Sequence, residues 1–149
     1  MPRRLALLAA LFAVLAIVVG PAAQAADALE TFLHRWEDPR QFDAEDLAPE
    51  FRAEVSGGGQ NIVLNRDQTI AYNERIQQLI TSYAVRSFKI LERRETAGRL
   101  VVTYATAYEV GLRGQKVAVE EVATLTLLRG GRNGFRVLSV KSQQKDVTG

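Results

Sequence analysis

The sequence predicts an α+β domain, with helices first and an antiparallel sheet after them. Three observations predict it. Up to about Tyr83 the apolar residues recur at helical spacing behind good capping residues. From Val85 onward they alternate with a period of two. The alternating stretches are joined by "ETAG", "GLRG" and "GGRNG", short glycine-bearing links of the kind hairpins need.

Residues 1–25 are a different kind of sequence. Arg3 and Arg4 precede an unbroken apolar run over residues 5–20, Pro21 breaks it, and Ala23-Gln24-Ala25 supplies a small-x-small cleavage pattern. That order predicts a secretory signal peptide cleaved after Ala25, with residues 26–149 forming one periplasmic or secreted domain. The alternative is an uncleaved membrane anchor, since the run approaches the roughly 20 residues that span a bilayer; Pro21 and the alanines favour cleavage. The leader carries Arg3 and Arg4 and no acidic residue. Of 19 basic and 17 acidic side chains, the mature part therefore keeps 17 of each. A neutral, mixed surface lacks the basic footprint of a nucleic-acid binder. With no cysteine, lipid attachment at cysteine, disulfides and thiolate chemistry are excluded, and stability rests on the core.

Within the mature part, residues 26–37 read as an amphipathic helix. Leu29, Phe32, Leu33 and Trp36 share one face, and Asp38-Pro39 stops it. Asp43 reads as the N-cap of a short second helix, with Glu45 and Asp46 in its first turn and Pro49 interrupting it. Residues 50–55, "EFRAEV", alternate as a short strand. Asn65 and Gln68 resemble a capping box opening a third helix to about Tyr83. Thr69, Tyr72, Ile76, Leu79, Ile80 and Tyr83 form its apolar stripe. Four strands follow over about 85–94, 99–110, 116–128 and 134–143, as a meander.

Gly57-Gly58-Gly59 invites a phosphate-loop reading, which the spacing defeats. The triplet stands six residues before Asn65, no lysine follows it, and the helix start would present Asn65 and Asp67 to an anion. A strand end and a flexible turn are the expectation there.

The element order, with the aromatic-bearing "LAPEFRAEVSGGG" between an acidic second helix and a capped third one, resembles the nuclear transport factor 2-like superfamily. The likeness covers residues 27–143 and is nearest to polyketide cyclase-like and small secreted bacterial members. The resemblance implies a cone-like fold, with three N-terminal helices on a curved antiparallel sheet of four main strands plus a short one, and a pocket at the wide end. It also implies a homodimer through the open sheet face. Relatives include isomerases, dehydratases and cyclases, ligand binders and assembly components. The enzymes commonly use an Asp–His pair or an Asp with tyrosine. Here the sole histidine, His34, lies off the apolar stripe of the first helix, so the dyad is not expected.

The residues themselves offer other candidates. Val117, Val119, Ala123, Leu125 and Leu127 alternate on one strand face, and Glu121 lies on that same face. A carboxylate facing an apolar interior has a raised pKa and can serve as general base or ligand contact. The structural alternative is a bulge that turns Glu121 outward, or an ion pair with Lys141. Trp36, Tyr72, Tyr83, Tyr104 and Tyr108 can line a pocket with apolar walls and hydroxyl handles. Their structural alternative is core packing. One histidine and no cysteine point to no metal site, and no cofactor is expected. The arginines of "LERRETAGR" and "RGGRNGFR" read as solvated hairpin charges.

The expectation is thus an exported, non-catalytic domain binding a small apolar ligand or a partner protein. Two alternatives stand beside it: an isomerase or hydro-lyase using Glu121 as base with Tyr104 or Tyr108 as donor, and an accessory component of an envelope assembly. Contact with the membrane is expected only through an uncleaved leader.

Overall fold

The computed structural model of the protein describes residues 28–148. The signal peptide expected over residues 1–25 lies outside them. Two compact units divide between His34 and Arg35. Helix α1 covers residues 28–37. In the first unit Leu29, Phe32 and Leu33 are buried, while His34 is exposed at 4.0 Å from Glu30, one turn away.

The second unit is built on one curved six-stranded sheet: β1 (Leu47–Gly57), β2 (Gln60–Asn65), β3 (Ile80–Thr96), β4 (Arg99–Leu112), β5 (Gln115–Arg129) and β6 (Phe135–Asp146). The spatial order is β2-β1-β6-β5-β4-β3. Helix α2 (Arg66–Leu79) links β2 to β3 and packs against β1 and β2. The meander over β3 to β6 is antiparallel as its short glycine links demand. The β1–β6 pair is parallel, so the sheet is mixed rather than wholly antiparallel. The reason is the path of the chain. Between β1 and β6 it crosses through α2 to the far edge and then returns one strand at a time.

Four expectations change. The second helix is only a 3-10 turn, Ala44–Asp46, capped by Asp43, whose carboxylate accepts from Glu45 N at 3.0 Å. Pro49 follows too soon for an α-helix, and it sits inside β1, where the pairing with β6 slips between Leu47 and Arg52. The described residues therefore contain two α-helices, not three. Second, β1 covers Leu47–Gly57 rather than residues 50–55. Third, residues 60–65 form a strand, so the sheet has six strands rather than four and a short one. Gly58 and Gly59, at φ +58° and +78°, make the two-residue turn from β1 into β2. Gly57 lies so close to β6 that a Cβ there would meet the Gln144 carbonyl at 2.7 Å. Fourth, α2 ends at Leu79. The capping box is present, with Gln68 N donating to Asn65 Oδ1 and Asn65 N to Gln68 Oε1, both at 2.9 Å. Ile80 to Tyr83, however, open β3, because β-branched and aromatic residues suit a strand as well as a helical stripe.

One face of the sheet carries the core: Leu100, Val102 and Tyr104 of β4, Ala123, Leu125 and Leu127 of β5, Val137 of β6, and Phe51 and Ala53 of β1. Three register shifts in β3 bend its strand pair, as bulges do. Among the described residues no helix is long and apolar enough to cross a membrane.

Candidate functional site

A cavity of about 350 Å³ opens on the core face of the sheet. Thr69, Tyr72, Asn73 and Ile76 of α2 form one wall. Phe51, Val55, Val119 and Val140 of the sheet form the opposite wall, and Trp36 closes a side against Phe51, with ring centroids 6.3 Å apart and edge to face. These walls are mostly apolar. The polar exception is a corner made by Glu37, Glu121, Ser142 and Gln144.

Glu121 is 6% exposed and points inward, with no bulge to turn it out. Strand register explains its partners. Gln144 lies directly opposite it on β6, and Ser142 is the diagonal neighbour on the same face. Ser142 Oγ donates to Glu121 Oε2 at 2.5 Å and Gln144 Nε2 donates to the same oxygen at 2.9 Å. Lys141 points to the opposite face and is exposed, so the ion pair with Glu121 does not form.

The other oxygen, Glu121 Oε1, is buried and finds no donor among the amides, hydroxyls and cations of the described residues. Its neighbour is the Glu37 carboxyl, at the end of α1. Burial pushes the Glu37 pKa well above its ordinary value, and repulsion from Glu121 and the hydrogen bond between the two carboxyls push it further. The Tyr104 hydroxyl, which donates to Glu37 Oε1, opposes the shift without cancelling it. The raised pKa favours the protonated form of Glu37, a hydrogen-bond donor for the Glu121 carboxyl.

The tyrosines take different places. Tyr72 of α2 and Tyr108 of β4 line the cavity. Tyr104 is fully buried beneath it, stacked on Phe88 at 5.3 Å. Tyr83 belongs to β3 rather than to a helical stripe, with its ring 5.5 Å from Tyr108 and its hydroxyl buried without a partner. Burial raises the pKa of Tyr83, Tyr104 and Tyr108, and the nearby Glu37 and Glu121 raise it further. All three remain neutral phenols, fit to donate hydrogen bonds and not to act as bases.

Of the residues expected at a pocket, Trp36, Tyr72, Tyr108 and Glu121 line this one, Tyr104 supports it from below, and Tyr83 flanks Tyr108. Glu37 was missed. The signal was present: it stands four residues after Leu33 and eight after Leu29, so it continues the buried stripe of α1. Among the described residues no cluster of three or more acidic, histidine or cysteine side chains is arranged for a metal ion. A shallower groove of about 700 Å³ runs over the outer face of the sheet past Lys89, Ala107, Val122 and Gln143.

No protein-family profile matches the sequence, and no characterised protein is similar to it in sequence. Solved structures are similar in fold. A conserved protein from Planctomyces limnophilus superposes with a TM-score of 0.66 at 15% identity, over 84% of this chain and 99% of that one. An NTF-2 like protein of unknown function from Silicibacter pomeroyi gives 0.53 at 12%, over 81% and 96%. A ketosteroid isomerase-like protein from Erwinia carotovora atroseptica gives 0.51 at 14%, over 86% and 94%.

Proposed function

We infer, from a chain that has the nuclear transport factor 2-like fold, that the domain is exported and binds a small, largely apolar ligand in the cavity between α2 and the sheet. The observation that supports this is the cavity itself. Its size suits a small organic molecule, its walls are apolar and aromatic, and its polar groups are gathered in one corner, where they can orient a ligand. Trp36 is the sole tryptophan of the chain and lines the cavity, so its fluorescence reports occupancy directly.

Val119 lies half-buried on the sheet wall. Val119→Phe is expected to fill the cavity without disturbing the strand, because a phenyl ring suits a β-position and adds volume only on the open side. Titration of the folded chain with the neutral dye N-phenylnaphthylamine should shift Trp36 emission, and Val119→Phe should weaken that binding by about tenfold or more. Wild-type protein that never binds the dye, and that shows no bound small molecule by native mass spectrometry, would remove the ligand reading.

A second reading has one specific observation behind it. Glu37 and Glu121 are paired acids, and burial favours the protonated form of Glu37, an arrangement that sets an acid beside a second carboxyl. One structure of similar fold is described as ketosteroid isomerase-like. In an enzyme of this kind the Glu121 carboxylate takes a proton from the carbon beside a ketone. Glu37 hydrogen-bonds the oxygen, and the proton returns at another carbon. Nuclear magnetic resonance of a small cyclic unsaturated ketone in deuterated water should then show deuterium entering the ring with wild type and not with Glu121→Gln. Equal exchange with the two proteins ends this reading.

A further inference from the structure

The charge pattern of the cavity narrows what it holds. Glu37 and Glu121 are the only carboxyl side chains among the described residues that line it, and no lysine, arginine or histidine joins them. Arg40 is spent on Asp38: its Nε donates to Asp38 Oδ1 at 3.0 Å and its Nη2 to Oδ2 at 2.9 Å. Arg40 otherwise stands 5.9 Å over the Tyr83 ring, outside the cavity wall. An anionic ligand would meet repulsion and no counter-charge.

Glu121 has one satisfied oxygen and one unsatisfied. Oε2 accepts from both Ser142 and Gln144, while the buried Oε1 has no donor among the described residues. A buried carboxylate oxygen without a good donor is costly, and a charged N–H donor relieves that cost more than a neutral one. The same cavity is lined by Trp36, Phe42, Phe51, Tyr72 and Tyr108. Aromatic walls beside a carboxylate are the environment that stabilises an organic cation.

We propose that the ligand is an apolar amine, held as its ammonium ion with an N–H directed at Glu121 Oε1 and its hydrocarbon body against the aromatic wall. This rests on the cavity being a ligand site, as inferred above. The groups that face the ammonium position are Glu37 from α1, Glu121 from β5, and the neutral hydroxyl of Tyr108 from β4. Tyr104 lies below, bonded to Glu37. None of these side chains is a cation, so none repels an ammonium ion.

Three probes with one body and different head groups test it: phenylbutylamine, phenylbutanol and phenylbutyrate, titrated calorimetrically and by Trp36 fluorescence at neutral pH. The amine should bind about tenfold or more tightly than the alcohol, with the carboxylate weakest. Glu121→Gln should erase the amine's advantage and leave the alcohol's affinity within about threefold. If that variant does not fold, Glu121→Asp serves, because the shorter side chain withdraws the carboxylate from the ammonium position and should weaken the amine selectively. Alcohol or carboxylate binding as tightly as amine, with Trp36 responding to each, overturns the amine assignment and leaves the ligand site standing. Silence of all three probes in a protein that binds the neutral dye also overturns it. Silence towards the dye as well removes both.

Discussion

Glu37→Gln should stabilise the folded chain, and the gain should grow as pH rises. The sign follows from the direction of the Glu37 shift. Below the ordinary value of 4.5 the side chain is protonated in both folded and unfolded chains, and folding neither gains nor loses from it. Above 4.5 the unfolded chain releases the proton while the folded chain keeps it. Folded wild type then loses about 1.4 kcal/mol per pH unit from this one group, until pH reaches the raised folded value. Glutamine has no proton to release. Its carbonyl keeps the hydrogen bond from Tyr104, and its N–H groups give Glu121 Oε1 a permanent donor, so the variant copies the protonated state. Asp38 does not confuse the measurement. Burial alone would raise it, but hydrogen bonds from Arg40 and Gln41 hold it below its ordinary 3.8. Its contribution is therefore lost only as pH falls below that value. Urea midpoints of the two proteins at intervals between about pH 4 and pH 8 should diverge steadily upward. A constant difference would show that Glu37 is ionised in the folded chain.

Tyr104→Ala should be the most damaging of the single changes at this site. The ring is fully buried on β4, next to the edge strand β3, and stacks on Phe88, so truncation leaves a cavity in the sheet's core face. Losses of about 3–5 kcal/mol are usual for such truncations. Tyr104→Phe separates packing from hydrogen bonding. It keeps the ring and removes the donor to Glu37, which should cost about 1–2 kcal/mol. Thermal or denaturant unfolding of the pair gives both numbers. Equal losses for Ala and Phe would mean that the hydroxyl, not the ring, is what the core needs there.

Much of this architecture can be read from the chain, and the misreadings have physical causes. The meander was legible because alternation and glycine links are local signals: Val117 to Leu127 can face one way only if the strand is regular. The capping box of α2 is equally local. Strand β2 was not legible. Ile62 and Val63 are about half exposed and both lie on an edge, so no burial pattern marks them. The turn at Ala44–Asp46 misled for another reason. Asp43 is a good cap, but Leu47, Ala48 and Phe51 are buried by a sheet partner 90 residues along that no local pattern reveals. Glu121 was legible because a single acid interrupts a clean apolar alternation. Glu37 was not, because Asp38 beside it and the helix end made it look like ordinary terminal charge.

The order of the sheet gives β6 a role beyond that of one strand among six. It alone joins the β2–β1 pair to the β5–β4–β3 set by backbone hydrogen bonds. Without it the sheet would fall into a two-stranded ribbon, marginal by itself, and a three-stranded remnant. The same strand carries Ser142 and Gln144, the two donors that hold Glu121. A keystone that locks an arch here also sets the one acid at its centre, so any slip of β6 by a residue would at once unjoin the two halves and turn those donors to the other face. The cavity's acidic corner and the continuity of the sheet rest on the same strand.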